Sequence, residues 1–387
     1  MGVIPYGRQS VDEADIEAVV RVLRSDFLTQ GPAVPAFESA VAQYCRVPHA
    51  VAVNSGTSAL HIACLALGVG PGDRVWTSPN SFVASANCAR YCGADVNFVD
   101  IDPVTYNMSA HQLEAKLEIA AAKDLLPKVV IPVHFSGLPC DMAAIHALGQ
   151  RYGFRIIEDA SHALGAHYRN TVIGDCQFSD IVVFSFHPVK IITTAEGGIA
   201  TTRSAELARA MQLIRSHGVT REQHELQRAR EGAWYYEQHL LGFNYRLTEL
   251  QAALGLSQIS HLEQWVSKRH AIAERYDRAF AELPLILRPR AVNSRSALHL
   301  YVVLIDDRRT DLTRQTFFER LRNDGIGVNV HYIPIHTQPY YRVYGFEAGD
   351  FPVSEAYYER CVSLPMYVGL DDAQQDEVIH VVKAALI

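Results

Sequence analysis

Ile181-Val182-Val183-Phe184-Ser185-Phe186-His187-Pro188-Val189-Lys190 is an apolar, β-rich run that ends at a serine and then carries a lysine into a loop. Val189 and Ile191 flank the lysine, and Thr193-Thr194-Ala195-Glu196-Gly197-Gly198 follows. A lysine after a strand is ordinarily a solvated surface group. Usage within this chain argues otherwise: of 35 Lys and Arg residues, six are lysine, and Lys190 stands alone between Lys128 and Lys268. Where a solvated cation suffices, this chain uses arginine. An amine among apolar neighbours loses proton affinity and becomes a nucleophile or base, and Schiff-base chemistry is open to lysine but closed to arginine.

Around this run, strands are expected at 50–53, 75–78, 96–99, 129–133, 155–158, 181–186 and 198–201. Helix-period stretches lie between them at 58–67, 81–92, 110–121 and 141–152. That alternation predicts an α/β fold with a large, mostly parallel sheet covered on both faces. In such sheets ligands bind beyond the carboxyl ends of the strands. After 202 the texture changes to a helix at 205–215, a polar and aromatic loop at 219–239, and a long helical stretch at 247–280. Strands at 299–305 and 327–331 and helices at 314–323 and 372–385 then predict a smaller α/β C-terminal domain. The expected division is 1–250, a large domain with an N-terminal arm, and 251–387, a linking helix and the small domain.

The chain has 387 residues, 49% of them hydrophobic and 20% charged, which suits two or three globular units rather than disorder. A net charge of −7 with no basic run gives no support to nucleic-acid or anionic-membrane binding. No uncharged apolar run approaches the ~18–20 residues that span a bilayer. The first fifteen residues show no export signal. Seven cysteines without a C-x-x-C pair fit reduced thiols and a cytoplasmic location. His331 and His336 have no carboxylate or Cys partner at useful spacing, so no metal is expected.

Two other strand ends carry chemistry. Val51-Ala52-Val53-Asn54-Ser55-Gly56-Thr57-Ser58 reads as a strand, a small polar turn and a helix start, where backbone N–H groups and hydroxyls can hold a phosphate. Alone the signal is weak, because Ser and Thr at a helix start are more often plain N-caps. Ile156-Ile157-Glu158-Asp159-Ala160-Ser161-His162 ends a strand in a carboxylate pair, which is either a strand-end cap or a partner for a cationic heterocycle. No G-x-x-x-x-G-K-[ST] loop is present, which removes NTP hydrolysis of that type. A phosphate cradle, an acid after a central strand and a secluded lysine are together what pyridoxal 5'-phosphate requires. Phe82, early in a helix after another strand, could stack on the ring.

With these motifs in place, the chain resembles the sugar-nucleotide aminotransferases among fold-type I pyridoxal-phosphate enzymes, from Tyr6 to the C-terminus. The resemblance rests on Leu28-Thr29-Gln30-Gly31-Pro32, Asn54 to Leu60, Glu158 to Ala166, Phe184 to Lys190, Glu196-Gly197-Gly198, Ser216-His217-Gly218 and Asn244-Tyr245-Arg246-Leu247. It implies Lys190 as the lysine that carries the cofactor and Asp159 as the pyridinium partner. It implies Gly56, Thr57, Ser58 and Ser185 at the phosphate, Phe82 on the ring, and His162 near the phenolic oxygen. Asn244 matches an asparagine that reaches the neighbouring subunit's phosphate, which implies a homodimer with shared active sites.

Pro5-Tyr6-Gly7, Ser161 to Gly165 and His331-Tyr332-Ile333-Pro334-Ile335-His336 look most like the 4-aminotransferases of the pseudaminic-acid pathway. That implies transfer from L-glutamate to C4 of a UDP-linked 4-keto-6-deoxy-N-acetylhexosamine, giving UDP-4-amino-4,6-dideoxy-N-acetyl-β-L-altrosamine. Tyr6, Thr29, His331 and Tyr332 are then candidate substrate contacts, or structural aromatic and loop residues. Another 4-keto or 3-keto sugar aminotransferase, a pyridoxal-phosphate sugar dehydratase, or a non-catalytic regulator are the alternatives. Related dehydratases carry His at the position of Lys190, so the lysine favours transamination.

Overall fold

The computed structural model describes residues 2–386; Met1 and Ile387, the outer ends of the expected division, lie outside the described residues. Seven strands form one sheet: β1 (His49–Val53), β2 (Arg74–Thr77), β3 (Asp95–Phe98), β4 (Val129–Ile131), β5 (Arg155–Asp159), β6 (Ile181–Ser185) and β7 (Gly198–Thr202). Their order is β1-β7-β6-β5-β4-β2-β3. Only β7 runs antiparallel to its neighbours, and β2 to β6 pair in parallel. The strands read as continuous Val and Ile runs because both faces are covered. Val130, Ile156, Val182 and Phe184 face one core cluster, while Val129, Ile131, Ile157 and Val183 face the other. That is the period-two alternation of a strand with no solvent side.

The helices follow the same logic. α1 (Glu13–Leu23), α2 (Ala33–Cys45), α3 (Gly56–Ala66), α4 (Ala84–Tyr91), α5 (Ala110–Ala121), α6 (Met142–Tyr152) and α7 (Ala205–Arg215) precede α8 (Glu249–Gln258). α8 starts on a capping box from Thr248 and Gln251 and packs on α1 and α2. The expected unbroken helix over 247–280 is interrupted by a tight turn at Ile259–His261 before α9 (Leu262–Phe280). Gln258 explains the corner. It is fully buried, donates to the Ser10 carbonyl at 2.9 Å and to the Asp15 carboxylate, and accepts from the Thr193 amide at 3.3 Å. Past that anchor, Ile272, Ala273, Tyr276 and Phe280 of α9 join a separate core with Val303, Phe317 and Val378.

That second core backs a three-stranded antiparallel sheet, β8 (Leu285–Leu287), β9 (Tyr301–Ile305) and β10 (Cys361–Leu364), in the order β8-β9-β10. The expected strand at 327–331 is a single bridge between Asn329 and Ser363. Asn329, Val330, His331 and Tyr332 all line one cavity, which the alternating geometry of a strand forbids. The 219–239 loop closes through a short ribbon, Val219–Thr220 against Glu237–Gln238. The chain's start is docked on the second unit: Ile4 donates to the Gly325 carbonyl at 2.9 Å and accepts from the Gly327 amide at 2.7 Å.

β6 and β7 are consecutive and paired, Ser185 opposite Gly198, so residues 186–197 form a closed loop that carries Lys190. At the base of this loop a Cβ on Gly198 would lie 2.3 Å from the Ser55 carbonyl oxygen, and one on Gly56 would lie 2.9 Å from the Ser185 Cβ. Only hydrogen fits at both positions. Gly198→Ala should therefore destabilise the protein by at least ~1–3 kcal/mol through overpacking, read as a lowered urea midpoint. An unchanged midpoint would show that this close approach is not a constraint.

Candidate active site

A cavity of about 590 Å³ opens at the carboxyl ends of β1, β2, β5 and β6. Ser55, Gly56 and Thr57 line it after β1, Ser81, Phe82 and Ser85 after β2, and Asp159, Ser161 and His162 at the end of β5. Ser185, His187 and Lys190 follow β6. Tyr6, His299 and 329–332 close the opposite wall.

The cradle is set by the start of α3. Ser55 is its N-cap, and the Ser55 hydroxyl accepts from the Ser58 amide at 3.1 Å. The Ala59 amide bonds to the Ser55 carbonyl at 3.0 Å. The amides of Gly56 and Thr57 have no acceptor among the described residues, which leaves two donors at a helix N-terminus. The Ser185 and Thr57 hydroxyls are similarly free. Ser58 does not line the cavity: its hydroxyl donates to Asn54 Oδ1 at 2.7 Å.

The carboxylates of β5 divide by strand alternation. Glu158 faces away, paired with His134 Nε2 at 2.6 Å. Asp159 is buried and faces the cavity, where its Oδ2 accepts from the Ser85 hydroxyl at 2.6 Å and its Oδ1 from the Ser161 amide at 3.1 Å. Ser81 donates in turn to Ser85 at 2.7 Å. Ser85 was not singled out from sequence, although the Ser81–Ser85 pair at one helical turn was a readable signal.

Lys190 is half-buried, and its ammonium has no hydrogen-bond or ion-pair partner among the described residues. Burial lowers its proton affinity to about 8, against a smaller opposing pull from Asp159. Three imidazoles surround it. Burial, then the charge of Lys190, pushes His331 down to about 3, and the same two causes, with His331, push His162 well below the usual range. His299, missed in the sequence because it opens an apolar strand, is buried, neutral and leaves Nδ1 without a partner. Tyr6 packs on His331 at 5.6 Å between ring centroids, and Phe82 lies exposed at the mouth, 6.4 Å from Tyr332.

Besides Ser58, two expected site residues lie elsewhere. Thr29 and Asn244 are exposed and outside this chain's cavity. No arginine lines the cavity among the described residues.

These groups fit pyridoxal phosphate. The free α3 amides with Thr57 and Ser185 would hold the phosphate, Asp159 would keep the ring nitrogen protonated, and Lys190 would bind the aldehyde. When bound, the group supplies an aldehyde that exchanges nitrogen and a ring that accepts electrons. In protein freed of cofactor, reaction of Lys190 with a small aldehyde should follow an amine titrating near pH 8. Asp159→Asn removes the carboxylate that holds the proton and should move the profile to lower pH. A profile in the ordinary lysine range, read by mass spectrometry after borohydride trapping, would contradict the lowered proton affinity of Lys190.

Residues 9–383 match the DegT/DnrJ/EryC1/StrS aminotransferase family. The chain is 38% identical over 383 residues to the spore coat polysaccharide biosynthesis protein SpsC of Bacillus subtilis, covering 98% of this chain and 96% of SpsC. Its fold is similar to Helicobacter pylori PseC, an aminotransferase involved in the biosynthesis of pseudaminic acid, at 31% identity and a TM-score of 0.89 over 99% of both chains. It is also similar to the PMP-form of the sugar aminotransferase Spr1654 from Streptococcus pneumoniae, at 29% identity and 0.89 over 99% of this chain and 98% of that one. The match spans nearly the whole length of the chain. The chain belongs to the DegT/DnrJ/EryC1/StrS aminotransferase family and is a pyridoxal-phosphate-dependent sugar aminotransferase.

Proposed function

We propose that the protein transfers the amino group of L-glutamate to C4 of a UDP-linked 4-keto-6-deoxy-N-acetylhexosamine, giving UDP-4-amino-4,6-dideoxy-N-acetyl-β-L-altrosamine for pseudaminic-acid synthesis. The observation that carries the reading is the unpartnered amine of half-buried Lys190, lowered in proton affinity to about 8, in the same cavity as the buried carboxylate of Asp159. Lys190 accepts the Cα proton of glutamate as a free amine and returns a proton to C4 of the sugar in the second half. Asp159, fixed by Ser85 and Ser161, holds the proton on the ring nitrogen. Tyr6, His331 and Tyr332 are the sugar-side contacts, supported by their place on the wall opposite the cradle.

The working unit in this reading is a cytoplasmic homodimer with shared sites. Asn244 and Thr29, away from this chain's cavity, serve the partner's site, and a cavity without arginine receives its cations from the second copy. Exposed Phe27, Leu28, Trp234 and Leu241 are apolar surface for that contact. The division at 250/251 is set at the start of α8, ahead of the point within α9 where the chain passes from the first core (Trp265, Val266) to the second (Ile272, Ala273). A second reading is a different 4-keto sugar nucleotide, favoured by the higher identity to SpsC, a coat-polysaccharide protein, than to PseC.

The deciding experiment mixes the enzyme, L-glutamate and a panel of keto-sugar nucleotides, and follows the amine-for-carbonyl mass change. The altrosamine precursor should be aminated with one 2-oxoglutarate formed per sugar. Turnover confined to another sugar would select the second reading, and 2-oxoglutarate without an amino sugar would sink both. Lys190→Ala should keep the fold by circular dichroism and lose at least the ~10²–10⁴-fold that a positioned proton shuttle supplies. Near-wild-type turnover would remove Lys190 from the reaction.

A further inference from the structure

The hydrogen bonds around His162 have a direction. Ser136 donates its backbone N–H to His162 Nδ1 at 3.2 Å. Ser136 is itself pinned: its hydroxyl donates to the Leu300 carbonyl at 2.7 Å and accepts from Arg288 Nη2 at 3.0 Å. Nδ1 of His162 is therefore an acceptor. Burial, and then the charge of Lys190, keeps the ring neutral, and a neutral imidazole that accepts at Nδ1 carries its one proton on Nε2. That Nε2 lies 3.1 Å from Tyr332 Oη, so the imidazole donates to the phenol.

The consequence falls on the phenol's own proton. It cannot point back at an N–H donor, and no other acceptor among the described residues takes it. Tyr332 and His162 both line the cavity that holds Lys190. Burial and the nearby Asp159 raise the phenol's pKa, so the hydroxyl stays protonated. The ring is held by Phe135 at 6.2 Å and stacks at 21° to the imidazole. The backbone is held by the Tyr332 amide on Asn80 Oδ1 at 3.3 Å.

We propose that Tyr332 is a catalytic residue whose hydroxyl, aimed by the fixed tautomer of His162, donates to the sugar's carbonyl oxygen as the ketone is attacked. As nitrogen adds to the carbonyl carbon, the C=O π pair moves onto oxygen, and the Tyr332 hydrogen bond strengthens toward that charge. His162 supports the phenol by donating from Nε2, and Ser136 fixes which nitrogen of His162 is free to do so. Both are positioning residues. The proposal rests on the keto-sugar reading above and adds which group acts on the oxygen.

Tyr332→Phe keeps the ring and removes only the hydroxyl. The two halves of the reaction are read separately, with the absorption band of the bound cofactor as an independent signal. Conversion of L-glutamate to 2-oxoglutarate and the absorption maximum should be unchanged, while amination of the sugar slows on the order of 10²-fold with KM nearly constant. His162→Asn still offers an acceptor to the Ser136 amide but is too short to reach the phenol. It should slow the same half, and combining the two changes should add little, since both act through one hydroxyl. A sugar half-reaction at the wild-type rate in Tyr332→Phe overturns the proposal, and does so without touching the keto-sugar reading when the wild type aminates. Equal losses in both halves with a moved absorption band also overturn it, assigning the hydroxyl to the cofactor's phenolic oxygen instead.

Discussion

Gly198 lies against the Ser55 carbonyl and Gly56 against Ser185, and at neither point is there room for a methyl group. These contacts bring three segments to one spot: the turn after β1, the end of β6 and the start of β7. Because β7 returns antiparallel beside β6, the loop carrying Lys190 is tied off at its base by the Ser185–Gly198 pair. The Phe186 amide bonds to the Gly197 carbonyl at 2.9 Å and the Thr194 amide to the Phe186 carbonyl at 3.0 Å, which tightens the same loop. A loop closed this way has little freedom left to lose when a ligand binds, so the amine and the anion cradle are pre-organised relative to each other.

Electrostatically the cavity holds very few charges. Lys190 and Asp159 are the charged groups set within it, Glu196 stands exposed at its edge, and the imidazoles of His162, His299 and His331 are kept neutral by burial and by the amine. Neutral rings can accept or donate without competing for the lysine's proton. The pairing of Glu158 with His134 on the far side of the sheet serves the same end. The second carboxylate of the Glu158-Asp159 pair is satisfied elsewhere and leaves Asp159 as the sole buried anion facing the cavity among the described residues.

Much of this was legible in the chain because apolar periodicity and strand-end chemistry are local properties. The seven strands of the sheet fall within a few residues of their expected spans, and Lys190, Asp159, Gly56 and Thr57 come together because strand ends in a parallel sheet share one edge. What failed depended on contacts distant in sequence. The break at Ile259–His261 follows from Gln258 meeting Ser10, Asp15 and Thr193. The irregular course of 329–332 follows from facing a cavity that no local pattern announces. His299 looks like any polar residue opening a strand, and Ser58 like any helix-start hydroxyl. The Ser58 hydroxyl turns to Asn54, and the His299 backbone is held on the Ser136 carbonyl, contacts that periodicity cannot show.

The two walls of the cavity have separate origins. One is built from the sheet's strand ends, and the other from the docked N-terminal segment, His299 and residues 329–332 of the second unit. The two walls are nevertheless latched together, Tyr332 on His162 at 3.1 Å and the His299 amide on the Ser136 carbonyl at 3.1 Å, so a change in the second wall is felt at the end of β5.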